Sequence, residues 1–114
     1  MPMNKQMRRY IASSLKDLRR IALSTEQDNV DDRASALQEL EDILEENRDN
    51  LDNYTEALQN TERVQTQMES QDLMEEYLSD LKSWYDDLDD GNKDEDDEDE
   101  LFDLLDNIEQ ESYN

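Results

Sequence analysis

The sequence contains no cysteine and no histidine, and it has one glycine and one proline. Without cysteine or histidine, disulfides, thiolate nucleophiles and the usual transition-metal ligands are excluded, and no serine has an imidazole base. A single glycine, Gly91, cannot build a glycine-rich loop that cradles phosphate. We therefore predict that the protein is not an enzyme and that it has no cofactor and no metal site.

Residues that break helices are almost absent. The proline is Pro2 and the glycine is Gly91, so residues 3–90 contain neither type. This segment is rich in Leu, Glu, Gln, Arg and Met, which favour helix, and in Asp. The sequence therefore predicts an all-α protein: a small helical hairpin or bundle with a coiled-coil seam, followed by an acidic, partly disordered C-terminal tail.

Apolar residues are also few, because 33% of the chain is hydrophobic and 39% is charged. The apolar runs are too short for a transmembrane helix or for the core of a secretory signal, so we expect no membrane partner. A core this thin often needs a second chain, and we expect a homo-oligomer, most simply a dimer. The lack of cysteine fits a reducing compartment, so we expect a cytoplasmic protein, in the host cytoplasm if it is viral.

The net charge of −23 is unevenly distributed. Residues 1–23 carry six basic residues and one acid, whereas residues 24–114 carry five basic residues and 33 acids. The apolar spacing of residues 1–23 predicts a basic amphipathic helix. We favour packing of this helix on the acidic helices over a membrane-binding or nucleic-acid-binding helix and over a cleaved organellar presequence.

Residues 24–90 are predicted to form an acidic helical hairpin or coiled coil. Arg33, Asn47 and Thr61 interrupt its seam, and a buried Asn47 would fix the register or the oligomeric state. The apolar residues of the seam repeat with heptad spacing: Val30, Leu37, Leu40, Leu44, Leu51, Tyr54 and Leu58.

The helix boundaries within this region follow from weaker signals. Ser24 fits the start of a capping box, which predicts a break near residues 24–28. We weigh a turn near residues 47–53 against a continuous helix and favour the helix. Beyond Leu58 the apolar phase slips, so either the coil stutters or a new helix begins near Ser70. A hairpin or three-helix arrangement, dimerised, is favoured over a single rod of about 130 Å.

The third predicted region is the acidic tail, residues 91–114. Seven consecutive acids repel one another and favour disorder: Asp94, Glu95, Asp96, Asp97, Glu98, Asp99 and Glu100. A short apolar helix over residues 101–108 follows, with Leu101, Phe102, Leu104, Leu105 and Ile108. We expect the acids and the apolar helix to bind a partner in the helix-in-groove mode, and docking of this helix on its own bundle is the alternative.

The acids disfavour direct binding of nucleic acid, since phosphates would be repelled, but they could imitate it. A single helix over residues 26–90, with 22 acids and four basic residues, carries one net charge per roughly 5 Å. Duplex DNA carries one charge per about 1.7 Å of axis, and a single strand one per about 3.4 Å. An extended run of acids, at one charge per about 3.3 Å, is therefore the better imitation of a single strand.

These features favour a non-enzymatic interaction module that occupies a basic, nucleic-acid-binding surface of a partner, as an inhibitor or as a chaperone. In charge and length the chain resembles the small acidic inhibitors that phages use against host nucleic-acid enzymes. The alternative is a viral scaffolding or assembly protein, with a coiled coil and a C-terminal helix that binds the shell protein. A third hypothesis is autoinhibition, in which the acidic tail docks on the basic first helix until a partner displaces it.

Overall fold

The computed structural model describes residues 3–113, and within this range the protein contains helices and no strands. The helices are α1 (Lys5–Ile21), α2 (Gln27–Asp52), the single turn α3 (Glu56–Gln59), α4 (Glu62–Asp89) and α5 (Glu98–Glu111). The predicted all-α bundle is confirmed. Among the described residues, no helix is both long enough and apolar enough to cross a membrane.

The four long helices form an antiparallel bundle. Helices α1 and α4 each pack against both α2 and α5, so α1 and α4 occupy opposite corners. Cross-helix hydrogen bonds show the directions of neighbouring helices. Asn47, near the end of α2, donates to Gln71 in the first half of α4. Arg33, near the start of α2, donates to Asp89 at the end of α4. The two helices therefore run in opposite directions. Residues 3–90 supply three long helices, which agrees with the three-helix alternative, and residues 98–111 add a fourth helix.

The core runs along the centre of the bundle and takes side chains from all four long helices. Its members repeat every three or four residues, as the amphipathic pattern requires. The apolar residues with no exposed surface are Leu15, Leu18, Leu40, Leu81, Leu101, Leu105 and Ile108. The C-terminal apolar residues are thus as deeply buried as any others in the protein.

Polar side chains set the ends of several helices. The Asn4 side chain accepts a hydrogen bond from the Met7 backbone N–H at 2.8 Å and so caps α1. Thr55 caps α3 and Thr61 caps α4 in the same way. The seam interruption at Thr61 is therefore a helix start.

The structure contradicts two of the boundary predictions and agrees with the favoured alternative in a third. Ser24 is not the N-cap of α2, since Glu26 occupies that position and the Ser24 hydroxyl instead accepts from the side chain of Asn29 at 2.8 Å. Helix α2 continues to Asp52, as favoured over a turn near residues 47–53, and the chain leaves the helix at Asn53, before the single turn α3. Helix α4 begins at Glu62 and passes through Ser70 without a break.

The heptad seam lies inside one molecule, between α2 and α4. Leu40, Leu44 and Leu51 are buried, Val30, Leu37 and Tyr54 are half-buried, and Leu58 is half exposed on α3. Both interrupting polar residues of α2 are buried as well, and Asn47 donates to the Gln71 Oε1 atom at 2.7 Å. The buried Asn47 thus aligns two helices of the same chain, and the expected dimer stays a prediction.

Candidate interaction surface

Folding concentrates the negative charge. The bundle measures 49 × 22 × 18 Å and carries a net charge of −23. Along the 49 Å axis this is one net charge per about 2.1 Å, compared with one per about 1.7 Å for duplex DNA. A single helix over residues 26–90 would carry one net charge per roughly 5 Å. The bundle is denser in charge because it places four helices side by side.

Three of the four basic residues on α2 and α4 are held in ion pairs that join these two helices. Lys82 pairs with Glu41 at 2.8 Å, and Arg48 binds both Glu75, at 3.0 Å, and Asp72. The hydrogen bonds that Arg48 donates to Glu75 and Asp72 raise the pKa of Arg48 above its ordinary value. These basic groups therefore hold α2 and α4 together, and the remaining carboxylates are not neutralised by them.

The third pair, Arg33 with Asp89, is the most buried. The Arg33 side chain is 5% exposed, donates to Asp89 at 2.7 Å, and its guanidinium carbon lies 4.7 Å from the centre of the Tyr85 ring. Burial raises the pKa of Tyr85 well above its ordinary value, and the Arg33 charge opposes that shift only in part. The guanidinium thus lies over an uncharged aromatic ring, and its role is to pack α2 against α4.

Helix α1 carries basic residues on two faces, one paired with α5 and one exposed. On one side, Arg19 donates to Asp106 at 2.8 Å and to Glu109 at 2.7 Å, which ties α1 to α5. On the outward side, Lys5, Arg9, Lys16 and Arg20 are exposed and lie within about 60° of one another on the helix. We call these four residues the basic stripe. Arg20 makes a long ion pair with Asp32 at 3.6 Å, and the other three make none within residues 3–113.

The opposite corner of the bundle is acidic. Glu69, Glu76, Asp80 and Asp87 of α4 are exposed, and their spacings of seven, four and seven residues place them within about 40° of one another. We call them the α4 acidic row. Because α1 and α4 are diagonal, the basic stripe and the α4 acidic row point in opposite directions, and the molecule is electrostatically one-sided.

The predicted partner-binding acids are at the surface, but they are folded. Asp94 caps a 3₁₀ turn (Glu95–Asp97), and the last three acids of the run form the first turn of α5. Acids in the first turn stabilise a helix through its dipole, which offsets part of their mutual repulsion. Hence the run does not have the spacing of an extended single strand, and that expectation is corrected.

The predicted apolar half of the binding site lies elsewhere. Leu101, Leu105 and Ile108 are fully buried against the rest of the bundle, while Phe102 and Leu104 are half-buried. In this fold the buried three offer no surface to a partner, which corrects the expected exposed binding helix. The periodicity of these residues predicted which face of the helix is apolar, but the covering surface comes from α1 and α4, far away in sequence.

Comparisons with known proteins add no assignment to this geometry. No family model matches the chain, and neither the curated proteins nor the solved structures contain a match.

Proposed function

We propose that this protein is a non-enzymatic acidic interaction module that occupies a basic nucleic-acid-binding surface of a partner protein. The observation that carries the proposal is the linear charge density, one net charge per about 2.1 Å of a 49 Å rod. This density is close to that of duplex DNA, one charge per about 1.7 Å. A surface that binds phosphates through Lys and Arg would therefore meet a similar field.

Rigidity supports the same proposal. The carboxylates project from helices whose apolar faces pack into a common core, so binding does not require the ordering of a flexible chain. Most basic residues outside α1 are already paired with acids of neighbouring helices. The unpaired carboxylates are thus presented on a preformed scaffold, and their field would give fast, salt-sensitive association.

The test is capture of partners from a lysate on the immobilised protein, with elution by a salt gradient and a parallel run in excess duplex DNA. We expect a nucleic-acid-binding protein that elutes at moderate salt and is displaced by the DNA. The matched control is the variant K5Q/R9Q/K16Q/R20Q, in which the basic stripe is neutral and the acidic faces are intact. It should capture the same protein at least as well. Capture that DNA leaves unchanged would contradict the proposal.

We do not advance the scaffolding alternative as a second function. The scaffolding alternative depends on a C-terminal apolar helix that is separate from the coiled coil and free to bind the shell protein. Leu101, Leu105 and Ile108 are fully buried in this fold, so the main apolar face of that helix packs on the bundle and does not favour the scaffolding alternative.

A further inference from the structure

The four grooves between neighbouring helices of the bundle differ in their basic residues. The α1–α2 groove has Arg20 and the α1–α5 groove has Arg19. The α2–α4 groove is crossed by three ion pairs, those of Arg33, Arg48 and Lys82. A basic partner would be repelled by these groups or would have to displace them.

The α4–α5 groove is different. Helix α5 has no basic residue, and Lys82 of α4 reaches Glu41 on the other side. The groove encloses about 260 Å³ and is lined by Asp80, Ser83, Trp84, Asp87, Glu100 and Leu104, together with Lys93 of the α4–α5 connection. Lys93 makes a long contact of 3.4 Å with Glu100, and within residues 3–113 no ion pair joins α4 to α5.

This groove also combines charge with apolar surface. Asp80 and Asp87 of the α4 acidic row form one wall, and Glu100 stands on the other with the exposed Asp103 on the same helix. Between the walls lie the half-buried Leu104 and the ring of Trp84, whose indole N–H has no hydrogen-bond partner within the described residues. Two packed helices are about 8–10 Å apart, so a third helix can rest on both.

We propose that the α4–α5 groove is the docking site for a basic helix of the partner. The proposal rests on the function proposed above and adds the contact face and the type of element that binds there. Such helices are what many proteins place in the major groove of DNA, where Lys and Arg reach phosphates on both sides. Here the walls of the groove supply carboxylates in place of phosphates, and the half-buried Leu104 supplies an apolar floor beside Trp84, which is 2% exposed.

The basic stripe favours this orientation. It lies on the far corner from α4, so a basic partner that approaches along the field of the protein meets the α4 side and not the α1 side. Docking between α4 and α5 therefore keeps like charges apart.

The probe is a labelled peptide of about 20 residues composed of Ala, Leu, Lys and Arg, which as a helix is about 30 Å long and covers α5. Its control has the same composition except for two central prolines, which prevent a continuous helix. Trp84 is the single tryptophan of the chain and lies in the groove, so its fluorescence reports binding there. We expect the helical peptide, and not the proline peptide, to change the Trp84 emission.

Two variants with the same change in charge locate the site. D80N/D87N/E100Q removes three groove acids, whereas E46Q/D49N/D52N removes three exposed acids of α2 on another face. We expect the first variant to weaken helical-peptide binding roughly tenfold at 0.15 M salt, as three exposed ion pairs would. The second should change it less than about threefold, because charges beyond a Debye length of about 8 Å are screened.

The outcomes separate this inference from the proposed function. If both variants weaken binding equally, or if the proline peptide binds as well as the helix, the groove assignment is overturned while a diffuse acidic surface still explains capture. If no cationic peptide binds the wild-type protein at low salt, both the inference and the proposed function fail.

Discussion

Replacement of Leu105 by alanine should destabilise the whole protein. Leu105 has no exposed surface and belongs to the central core although it lies in the C-terminal helix. Removal of a buried leucine side chain costs about 2–5 kcal/mol, through lost burial and through the cavity left behind. A domain of this size has a free energy of unfolding of about 5–15 kcal/mol, so the substitution removes a large share of it.

Urea unfolding followed by far-UV circular dichroism and by Trp84 fluorescence measures this loss. The two signals report overall helix content and the α4–α5 contact, and they should change together if the bundle unfolds as one unit. The matched control is Leu58→Ala, because the Leu58 side chain is half exposed on α3 and its loss should cost less than about 0.5 kcal/mol.

An unchanged urea midpoint for Leu105→Ala would refute the reasoning. It would mean that α5 does not contribute to the cooperative unit and that residues 98–111 act as an independent segment. A fluorescence transition at lower urea than the helix transition would mean that α5 separates before the rest of the bundle unfolds.

Three further predictions concern the buried polar groups and the net charge. Asn47→Ala should cost about 1–3 kcal/mol in urea unfolding, because Gln71 Oε1 loses its donor; the pair N47L/Q71L should recover only part of this, because Gln71 also donates to the Leu44 carbonyl and to Glu75, and no recovery would contradict the assignment. Tyr85→Phe should not destabilise at pH 7, since the buried hydroxyl has no partner within residues 3–113. Because burial raises the pKa of Tyr85 above the unfolded value of 10.0, the wild-type free energy of unfolding should be constant below about pH 10 and decrease above it. The free energy of unfolding of Tyr85→Phe should decrease less above about pH 10, and identical alkaline profiles of the two proteins would contradict the buried site. The melting temperature should rise with sodium chloride from about 0.01 to 0.15 M as the Debye length falls from about 30 to 8 Å, because a net charge of −23 repels itself; a decrease would mean that ion pairs such as Arg19–Glu109 outweigh the repulsion.

The polar interruptions of the seam show how far local pattern can predict a site. The heptad spacing placed Arg33 and Asn47 at inward positions, and both are buried. It could not identify their partners, because Asp89 and Gln71 lie 56 and 24 residues away. The groove between α4 and α5 was not predicted, since its walls come from two helices whose packing no local pattern encodes.

The sequence by itself determined that the protein is helical, acidic and thinly cored. Helix propensity and the three-to-four residue apolar rhythm act over one or two turns, so they can be read from neighbouring residues. Only the tertiary structure decided what covers each apolar stripe. The turn between α2 and α4 has no glycine or proline, and threonine caps set it. Once that turn reverses the chain, α5 can cover an apolar face of the bundle that a second molecule would otherwise have to cover. The hydrophobic effect depends on the apolar area that is removed from water, and not on the distance in sequence between the residues that contact one another.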